Sequence, residues 1–226
     1  MLNVKSIAID GPSGAGKSTL AKRLAEALGF RYVDTGAIYR TLGLMAFRKE
    51  VAPENASAVA ELLYHQDIRL DYDKAGAQHM YLDGEDVTDE IRRPEVSRYA
   101  SGVSAIPAVR NFLLSMQRDL AKMHNVIMDG RDIGTVVLPN ADVKIFLTAS
   151  QEDRARRRYE DLRTRGMDTP YEQVLADMIE RDHRDSTRET APLRQAEDAV
   201  LVDTTGQQPD ESYAVLLEMI RRKLDA

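Results

Sequence analysis

The chain lacks cysteine and tryptophan entirely, and none of its apolar runs is long. Without cysteine it can form no disulfide and offers no thiolate for catalysis or metal binding. Its apolar stretches are far shorter than the roughly 20 residues that a transmembrane helix needs, and its first residues lack the pattern of a signal peptide. The 4 histidines are scattered without the spacing of metal ligands. These absences predict a cytoplasmic protein that has no membrane partner.

An excess of positive charge is also missing, since the formal net charge is −6. Surfaces that bind nucleic acids carry Lys and Arg to neutralise phosphates, so we expect no nucleic-acid partner and instead a small one. Arginine outnumbers lysine among the 31 basic residues. Arginine binds phosphate groups in a two-point geometry that lysine cannot match. The excess fits either phosphate-binding side chains or a coding bias, and only the placement of the arginines separates these explanations.

A glycine-rich loop follows a short apolar run near the start of the chain. The run 6–10 predicts a strand, and the residues from Leu20 onward predict a helix. In such a loop, backbone N–H groups surround an anion, the lysine reaches the β- and γ-phosphates, and the next hydroxyl reaches Mg²⁺. The sequence between strand and helix matches G-x-x-x-x-G-K-[ST]. It predicts a nucleoside-triphosphate site formed by Gly11, Pro12, Ser13, Gly14, Ala15, Gly16, Lys17, Ser18 and Thr19.

Further apolar runs of strand length lie at 30–34, 125–129, 143–147 and 199–203, and helix signals separate them. Continuous apolar strands that alternate with helices indicate a parallel sheet covered on both faces, with ligands at the carboxyl ends of the strands. Between about residues 66 and 88, shorter alternating segments with turn residues predict small antiparallel strands. The sequence therefore predicts one α/β folding unit with an inserted lobe.

An arginine-rich helix is predicted from about 150 to 166, with Ser150 and Asp153 as an N-cap pair. Helical spacing places Arg154 and Arg158 on one face, with Arg157 close by. These side chains either face the phosphates of a bound nucleotide or form a solvated face that the neighbouring acidic residues balance.

A second cluster of polar residues follows the predicted strand 125–129. Two carboxylates and an arginine stand between glycines in the segment Asp129-Gly130-Arg131-Asp132-Ile133-Gly134-Thr135. In a parallel sheet this is where ligands bind. Asp129 either orients Mg²⁺ through a water molecule or caps a helix or turn, while Arg131 and Asp132 belong either to an acceptor site or to a surface turn.

These segments resemble the bacterial cytidylate kinases, a family of nucleoside monophosphate kinases. The resemblance rests on residues 9–19, 34–40, 129–137 and 180–188 and covers nearly the whole chain. It implies a P-loop NTPase fold with a five-stranded parallel sheet flanked by helices, a monophosphate-binding insert and a short lid. On this interpretation the chain is one kinase domain, residues 1–226. Its core is about 1–36, 105–150 and 168–226, its insert about 37–104 and its lid about 151–167.

The resemblance also implies roles for single residues. The nucleobase is contacted by Thr35, Ser101, Arg110 and Asp132, the monophosphate by Arg40, Arg131 and Arg188, and the sugar by Arg181 and Asp185. The catalytic group is Lys17, Arg131, Arg154, Arg157, Arg158 and Arg188, and the metal is held by Ser18 and, through water, Asp129. Thr35 stands where many relatives are expected to carry serine. Arg181, Asp185 and Arg188 are spaced at i, i+4 and i+7, so they share one helix face, either as substrate-binding residues or as an exposed row of ion pairs.

The reaction that the resemblance implies is Mg-ATP-dependent phosphoryl transfer to CMP and dCMP, which gives CDP and dCDP in pyrimidine nucleotide metabolism, with ATP and Mg²⁺ as cofactors. We expect a monomer, because each motif could come from one chain. A carboxylate accepts a hydrogen bond from the exocyclic amino group of cytosine, whereas uracil presents a carbonyl there. The alternatives are a kinase for UMP, AMP or a metabolite hydroxyl, and a nucleotide-dependent switch protein. The sequence leaves open the preference between CMP and dCMP, the tolerance for UMP and the preferred phosphate donor.

Overall fold

The computed structural model describes residues 4–225. The chain divides into two compact units, of which one comprises residue 4 and residues 31–124, and the other comprises residues 5–30 and 125–225. Within the described residues, no helix is both long and apolar enough to cross a lipid bilayer.

The regular elements of residues 4–225 include a strand in each segment where the sequence predicts one. The strands are β1 (Ser6–Asp10), β2 (Arg31–Asp34), β3 (Ile68–Tyr72), β4 (Gln78–Leu82), β5 (Glu85–Asp86), β6 (Val126–Gly130), β7 (Val143–Thr148) and β8 (Val200–Asp203). The α-helices are α1 (Lys17–Leu28), α2 (Thr35–Arg48), α3 (Ala56–Leu62), α4 (Pro94–Val103), α5 (Pro107–Met123), α6 (Gln151–Thr164), α7 (Tyr171–Thr187) and α8 (Pro209–Leu224). A 3-10 turn, Glu90–Arg92, and a π-helical turn, Ile133–Val137, complete the set.

The main sheet has five strands in the order β2-β6-β1-β7-β8, which confirms the predicted five-stranded α/β fold. In the unit that contains β1, this strand pairs in parallel with β6 on one side and β7 on the other, and β7 pairs in parallel with β8. Ile7, Ala8 and Ile9 are all fully buried, because helices cover both faces of a parallel sheet. The β1–β6 register aligns Ile9 with Asp129, so the carboxyl ends of these two strands lie side by side.

The unit that spans residues 31–124 contains the small antiparallel sheet β3-β4-β5, which confirms the strands predicted between 66 and 88. Helix α2 packs closely against α4 in this unit. A Cβ atom at Gly43 would lie 2.6 Å from the backbone nitrogen of Ala100, so the contact requires a residue without a side chain.

One prediction about helix α7 is wrong. The helix ends at Thr187, and Arg188 follows it in an extended conformation with φ −60° and ψ 141°. Arg181 and Asp185 share a helix face, whereas Arg188 has left the helix. Spacing alone could not show this, because no glycine or proline marks the end of the helix at that position.

Candidate active site

The glycine-rich loop joins β1 to α1 with a backbone that requires its glycines. Gly11, Gly14 and Gly16 have φ values of 147°, 76° and 88°, in the region that residues with side chains rarely adopt. At Gly11 a Cβ atom would also lie 1.9 Å from the carbonyl oxygen of Leu147, so the loop starts in close contact with β7. Helix α1 then begins at Lys17, and its first N–H groups point toward the loop. This arrangement is the one expected of an anion-binding helix start.

Lys17 and Ser18 are the first two residues of α1. Lys17 is buried, and its Nζ donates a hydrogen bond to the carbonyl oxygen of Pro12 at 2.7 Å. Burial, and then the positive charge of Arg131, lower the pKa of Lys17 well below its ordinary value. A negatively charged ligand beside this amine would oppose both effects, so the position favours an anion.

The Ser18 hydroxyl donates a hydrogen bond to Asp129 Oδ2 at 2.9 Å. Asp129 is buried near the end of β6, which places its carboxylate beside the start of α1. Hydroxyl and carboxylate oxygens are the ligand types that Mg²⁺ prefers, and this ion commonly keeps several waters. Among the described residues, no group of three or more His, Asp or Glu side chains is arranged around a common metal position. The hydroxyl of Ser18 and the carboxylate of Asp129 fit Mg²⁺ in the type of oxygen atom that they offer.

Asp10, the last residue of β1, accepts hydrogen bonds from the backbone N–H groups of Ile133 and Gly134, both at 2.7 Å. Its side chain is buried. Burial raises the pKa of Asp10 from 3.8 to about 6, although the two amides and the charge of Lys17 oppose the shift and Asp132 adds to it. Sequence reasoning assigned no role to this residue.

The raised pKa of Asp10 leads to a prediction for stability. The folded protein binds this proton more tightly than the unfolded chain, so the contribution of Asp10 is largest below pH 3.8 and decreases as pH rises to about 6. A shift of about two units corresponds to about 3 kcal/mol. Between about pH 4 and pH 7, we expect Asp10→Asn to gain up to this amount in unfolding free energy relative to the unsubstituted protein, as measured by urea denaturation. Parallel pH profiles for the two proteins would contradict the assignment.

Arg131, directly after β6, pairs with Asp185 of α7 through a contact of 2.8 Å between Nε and Oδ2. Arg181, one turn earlier in α7, lies 3.9 Å from the same oxygen. Burial alone would raise the pKa of Asp185, but Arg131 and Arg181 hold it below the ordinary value. The structure thus brings together three of the residues that the sequence assigned to the acceptor, with two partly buried positive charges around the buried carboxylate of Asp185.

Arg188 joins this region from the end of α7. Its Nη2 lies 3.3 Å from Asp132 Oδ1, and its Nε donates a hydrogen bond to the carbonyl oxygen of Ala191 at 2.7 Å. The side chains of both Arg188 and Asp132 are buried. Because Arg188 is outside the helix, its guanidinium reaches Asp132 from the segment that follows α7.

The three arginines predicted for the lid lie on α6 and have different surroundings. Arg154 is buried, pairs with Asp182 at 2.7 Å and donates to the carbonyl oxygen of Ser13 at 2.9 Å, so it contacts the glycine-rich loop directly. Arg157 donates to the carbonyl oxygen of Thr204 at 2.7 Å. Arg158 pairs with Asp161 at 2.9 Å on the same helix. Burial thus distinguishes Arg154 from the other two, which the i, i+4 spacing did not indicate.

The unit of residues 31–124 contains a second cluster of charged groups around Asp34. This carboxylate caps α2 by accepting a hydrogen bond from the Ala37 N–H at 2.8 Å, and it pairs with Arg40 at 2.8 Å. Arg92 lies 3.5 Å from the same carboxylate. Burial would raise the pKa of Asp34, but Arg40 and Arg92 lower it. Thr35, the first residue of α2, is buried beside this cluster.

Ser101 and Arg110 come together through the turn between α4 and α5. The Ser104 hydroxyl donates to the carbonyl oxygen of Ser101 at 2.9 Å, and Arg110 Nη1 donates to the carbonyl oxygen of Ser104 at 3.0 Å. The Arg110 guanidinium also lies 5.5 Å from the centre of the Tyr39 ring. Arg110 is therefore a buried cation with a fixed orientation, in spite of the absence of a local motif.

Several residues of these clusters were missed by sequence reasoning. Arg92 belongs to a short 3-10 turn without any motif, so no signal could have found it. Asp10 did carry a signal, because a charged residue at the buried end of a strand, next to a phosphate-binding loop, requires a partner. Its partners lie more than a hundred residues away in sequence and were not predictable.

Comparison with known proteins supports the same chemistry. Residues 7–222 match the family model described as Cytidylate kinase. A curated cytidylate kinase of Caldicellulosiruptor bescii is 51% identical over 214 residues, which cover 95% of this chain and 94% of that protein. The cytidylate kinase of Caldanaerobacter subterraneus subsp. tengcongensis is also 51% identical, over 98% of this chain and 96% of its own length.

Among solved structures, an uncharacterized protein from Eubacterium ventriosum aligns with a TM-score of 0.53 and 14% identity. The alignment covers 96% of this chain and 98% of that one. At this identity the likeness shows the fold alone.

Proposed function

We propose that this chain, which belongs to the cytidylate kinase family and therefore transfers a phosphoryl group from ATP to CMP, also accepts dCMP. We further propose which of its residues bind each substrate. The observation that carries the proposal is the arrangement within one unit of the structure. Lys17, Ser18 and Asp129 lie at the glycine-rich loop, and in the same unit the partly buried Arg131 follows β6 and the buried side chain of Arg188 follows α7.

The residues at the loop fit Mg-ATP. The backbone N–H groups of the loop and of the start of α1 are donors for phosphate oxygens, and Lys17 supplies a positive charge. Ser18 is proposed to bind Mg²⁺ directly and Asp129 to do so through water. Bound Mg²⁺ would neutralise charge on the β- and γ-phosphates and so favour displacement at the γ-phosphorus. The triphosphate is held by Gly11, Pro12, Ser13, Gly14, Ala15, Gly16, Lys17, Ser18 and Thr19.

The acceptor phosphate is proposed to bind arginine side chains, namely Arg40, Arg131 and Arg188. Each guanidinium pairs with a carboxylate, and phosphate oxygens are acceptors of the same charged type, which supports this assignment. The transferred group is stabilised by Lys17 and by the α6 arginines Arg154, Arg157 and Arg158. A general base is not required, because the oxygen of a nucleoside monophosphate is ionised near neutral pH.

The nucleobase is proposed to be recognised by Asp132 together with Thr35, Ser101 and Arg110, and the sugar by Arg181 and Asp185. Asp132 is the discriminating group, since its carboxylate accepts from the cytosine amino group and would face a carbonyl oxygen in uracil. Leaving two buried acceptors opposed costs on the order of 1 to 3 kcal/mol, which is enough for strong selectivity.

Several broader statements belong to the same proposal. We propose that the chain acts as one kinase domain, with a core of about 1–36, 105–150 and 168–226, an insert of about 37–104 and a lid of about 151–167. It is proposed to work as a monomer in the cytoplasm, on small-molecule substrates and without nucleic acid.

The experiment that tests the proposal measures ADP formation from Mg-ATP with CMP, dCMP, UMP, AMP or no acceptor in parallel. Turnover with CMP and dCMP but little with UMP is the expected result. Equal rates with UMP would remove the discriminating role of Asp132, and a rate independent of any acceptor would identify an ATPase or a switch protein.

A further inference from the structure

Asp10 has no part in the proposed binding of ATP, Mg²⁺ or the acceptor, although it precedes the glycine-rich loop directly. Its carboxylate uses both oxygens, one for the N–H of Ile133 and the other for the N–H of Gly134, each at 2.7 Å. These two amides are 123 and 124 residues further along the chain. Asp10 therefore connects the end of β1 to the segment that follows β6.

The two amides open the π-helical turn Ile133–Val137. In this turn the N–H groups of Val136 and Val137 donate to the carbonyl oxygen of Asp132, at 2.9 and 3.1 Å. The amides at the start of a helical turn have no partner within the turn itself, so a side chain must accept from them. Asp10 supplies that side chain, and the residue that it fixes in this way is Asp132, at the N-terminal end of the turn.

The contact between Asp10 and the turn is tight. A Cβ atom at Gly134 would lie 3.3 Å from Asp10 Oδ2 and 3.2 Å from the side chain of Lys144. The turn therefore approaches the carboxylate as closely as it does because residue 134 has no side chain. Asp132, at the start of the turn, pairs with Arg188 at 3.3 Å, so a shift of the turn would change this contact as well.

The carboxylate of Asp10 satisfies two amides, but its charged form is disfavoured in this buried position. Burial disfavours its charged form, as the raised pKa of Asp10 shows, and the neighbouring Asp132 adds repulsion. A buried charge that lowers stability is more readily explained by a geometric requirement at a functional site.

We propose that Asp10 is a positioning residue for nucleobase selection: by fixing the amides of Ile133 and Gly134, it sets the location of Asp132 relative to the glycine-rich loop. The inference rests on the proposed contact of Asp132 with the base. Asp10 itself touches neither substrate.

The test compares Asp10→Asn with a matched control, Asp142→Asn. Asp142 accepts from the Ser6 N–H at 2.8 Å and pairs with Lys5 at 3.0 Å, so it supports the opposite end of the same strand.

Asparagine has nearly the shape of aspartate, but only one of its two end groups is an acceptor oxygen. In Asp10→Asn, the amino group would therefore face one of the two backbone N–H groups without accepting from it. We expect Asp10→Asn to raise the KM for CMP and to lower the ratio of kcat/KM for CMP over UMP about tenfold. The KM for ATP, and all values for Asp142→Asn, are expected to stay within about twofold.

A second variant approaches the same contact from the other side. Gly134→Ala places a methyl group against Asp10 Oδ2 without changing a charge, and it is expected to lower the same ratio. If Asp10→Asn shows no cooperative thermal transition and is therefore not folded, Gly134→Ala becomes the decisive variant. Hydrogen exchange in a peptide that covers 132–137 is expected to be faster in Asp10→Asn than in the unsubstituted protein and unchanged in Asp142→Asn.

A CMP-to-UMP ratio that stays within about twofold in both Asp10→Asn and Gly134→Ala would overturn the positioning role, as would an equal loss of kcat on both acceptors. If the unsubstituted protein prefers CMP and the variants keep this preference, only the positioning role is refuted. An unsubstituted protein without a preference for CMP would refute the proposed base contact instead, and with it the inference.

Discussion

Replacing Lys17 by methionine is expected to lower kcat about a thousandfold, because the proposed site of phosphoryl transfer loses a buried positive charge. The substitution keeps most of the length of the side chain. Burial lowers the pKa of the Lys17 amine, which means that the folded protein disfavours its charged form. Removing the amine should therefore not reduce the free energy of unfolding. The measurement is steady-state turnover with CMP, together with the midpoint of thermal unfolding.

The control for this substitution is Lys22→Met, which removes a lysine from an exposed position of the same helix. It is expected to leave kcat within about twofold, as substitutions at exposed positions usually do. If Lys17→Met kept more than about a tenth of the original kcat, the glycine-rich loop would not be the site of phosphoryl transfer.

The second large effect is expected at Asp132. Alanine at this position removes the acceptor for the cytosine amino group, and we expect the preference for CMP over UMP to fall about a hundredfold, mainly through loss of activity with CMP. The measurement is the ratio of kcat/KM for the two acceptors at saturating Mg-ATP.

Asparagine at position 132 distinguishes hydrogen bonding from charge. Its side-chain amide can rotate to donate to the uracil carbonyl, so Asp132→Asn should use UMP better than Asp132→Ala does. Because Asp132 also pairs with Arg188, the KM for CMP should rise in both variants. Full retention of the CMP preference in Asp132→Ala would show that another group reads the base.

The sequence predicts the phosphate-binding loop and the sheet because both depend on local patterns. The glycines at 11 and 16 with Lys17 form a motif of fixed spacing, and the apolar strands need only a run of four to six residues. The helix N-cap at Ser150 is local in the same sense and is confirmed by its hydrogen bond from the Asp153 N–H. Features of this kind are set by residues close together in the chain.

What the sequence did not predict depends on contacts between distant residues. The end of α7 before Arg188 has no local signal, and it changes how that arginine reaches Asp132. The burial of Arg154 follows from its pairing with Asp182 of a later helix. The contact of Asp10 with the turn at Ile133 joins two segments that only the parallel pairing of β1 and β6 brings together. The sequence predicted that the strands of the main sheet pair in parallel, but it did not predict which residues of neighbouring strands lie opposite each other.

The most direct test of the central claim is to follow the transferred phosphoryl group itself. ATP that carries a radioactive γ-phosphate is incubated with CMP and Mg²⁺, and the nucleotides are separated after the unsubstituted protein or Lys17→Met has acted. The account predicts that the label appears in CDP, in equal amounts with the ADP formed, and that Lys17→Met abolishes nearly all of it. Label released as inorganic phosphate while CDP stays unlabelled would contradict the assignment of this chain as a kinase for CMP.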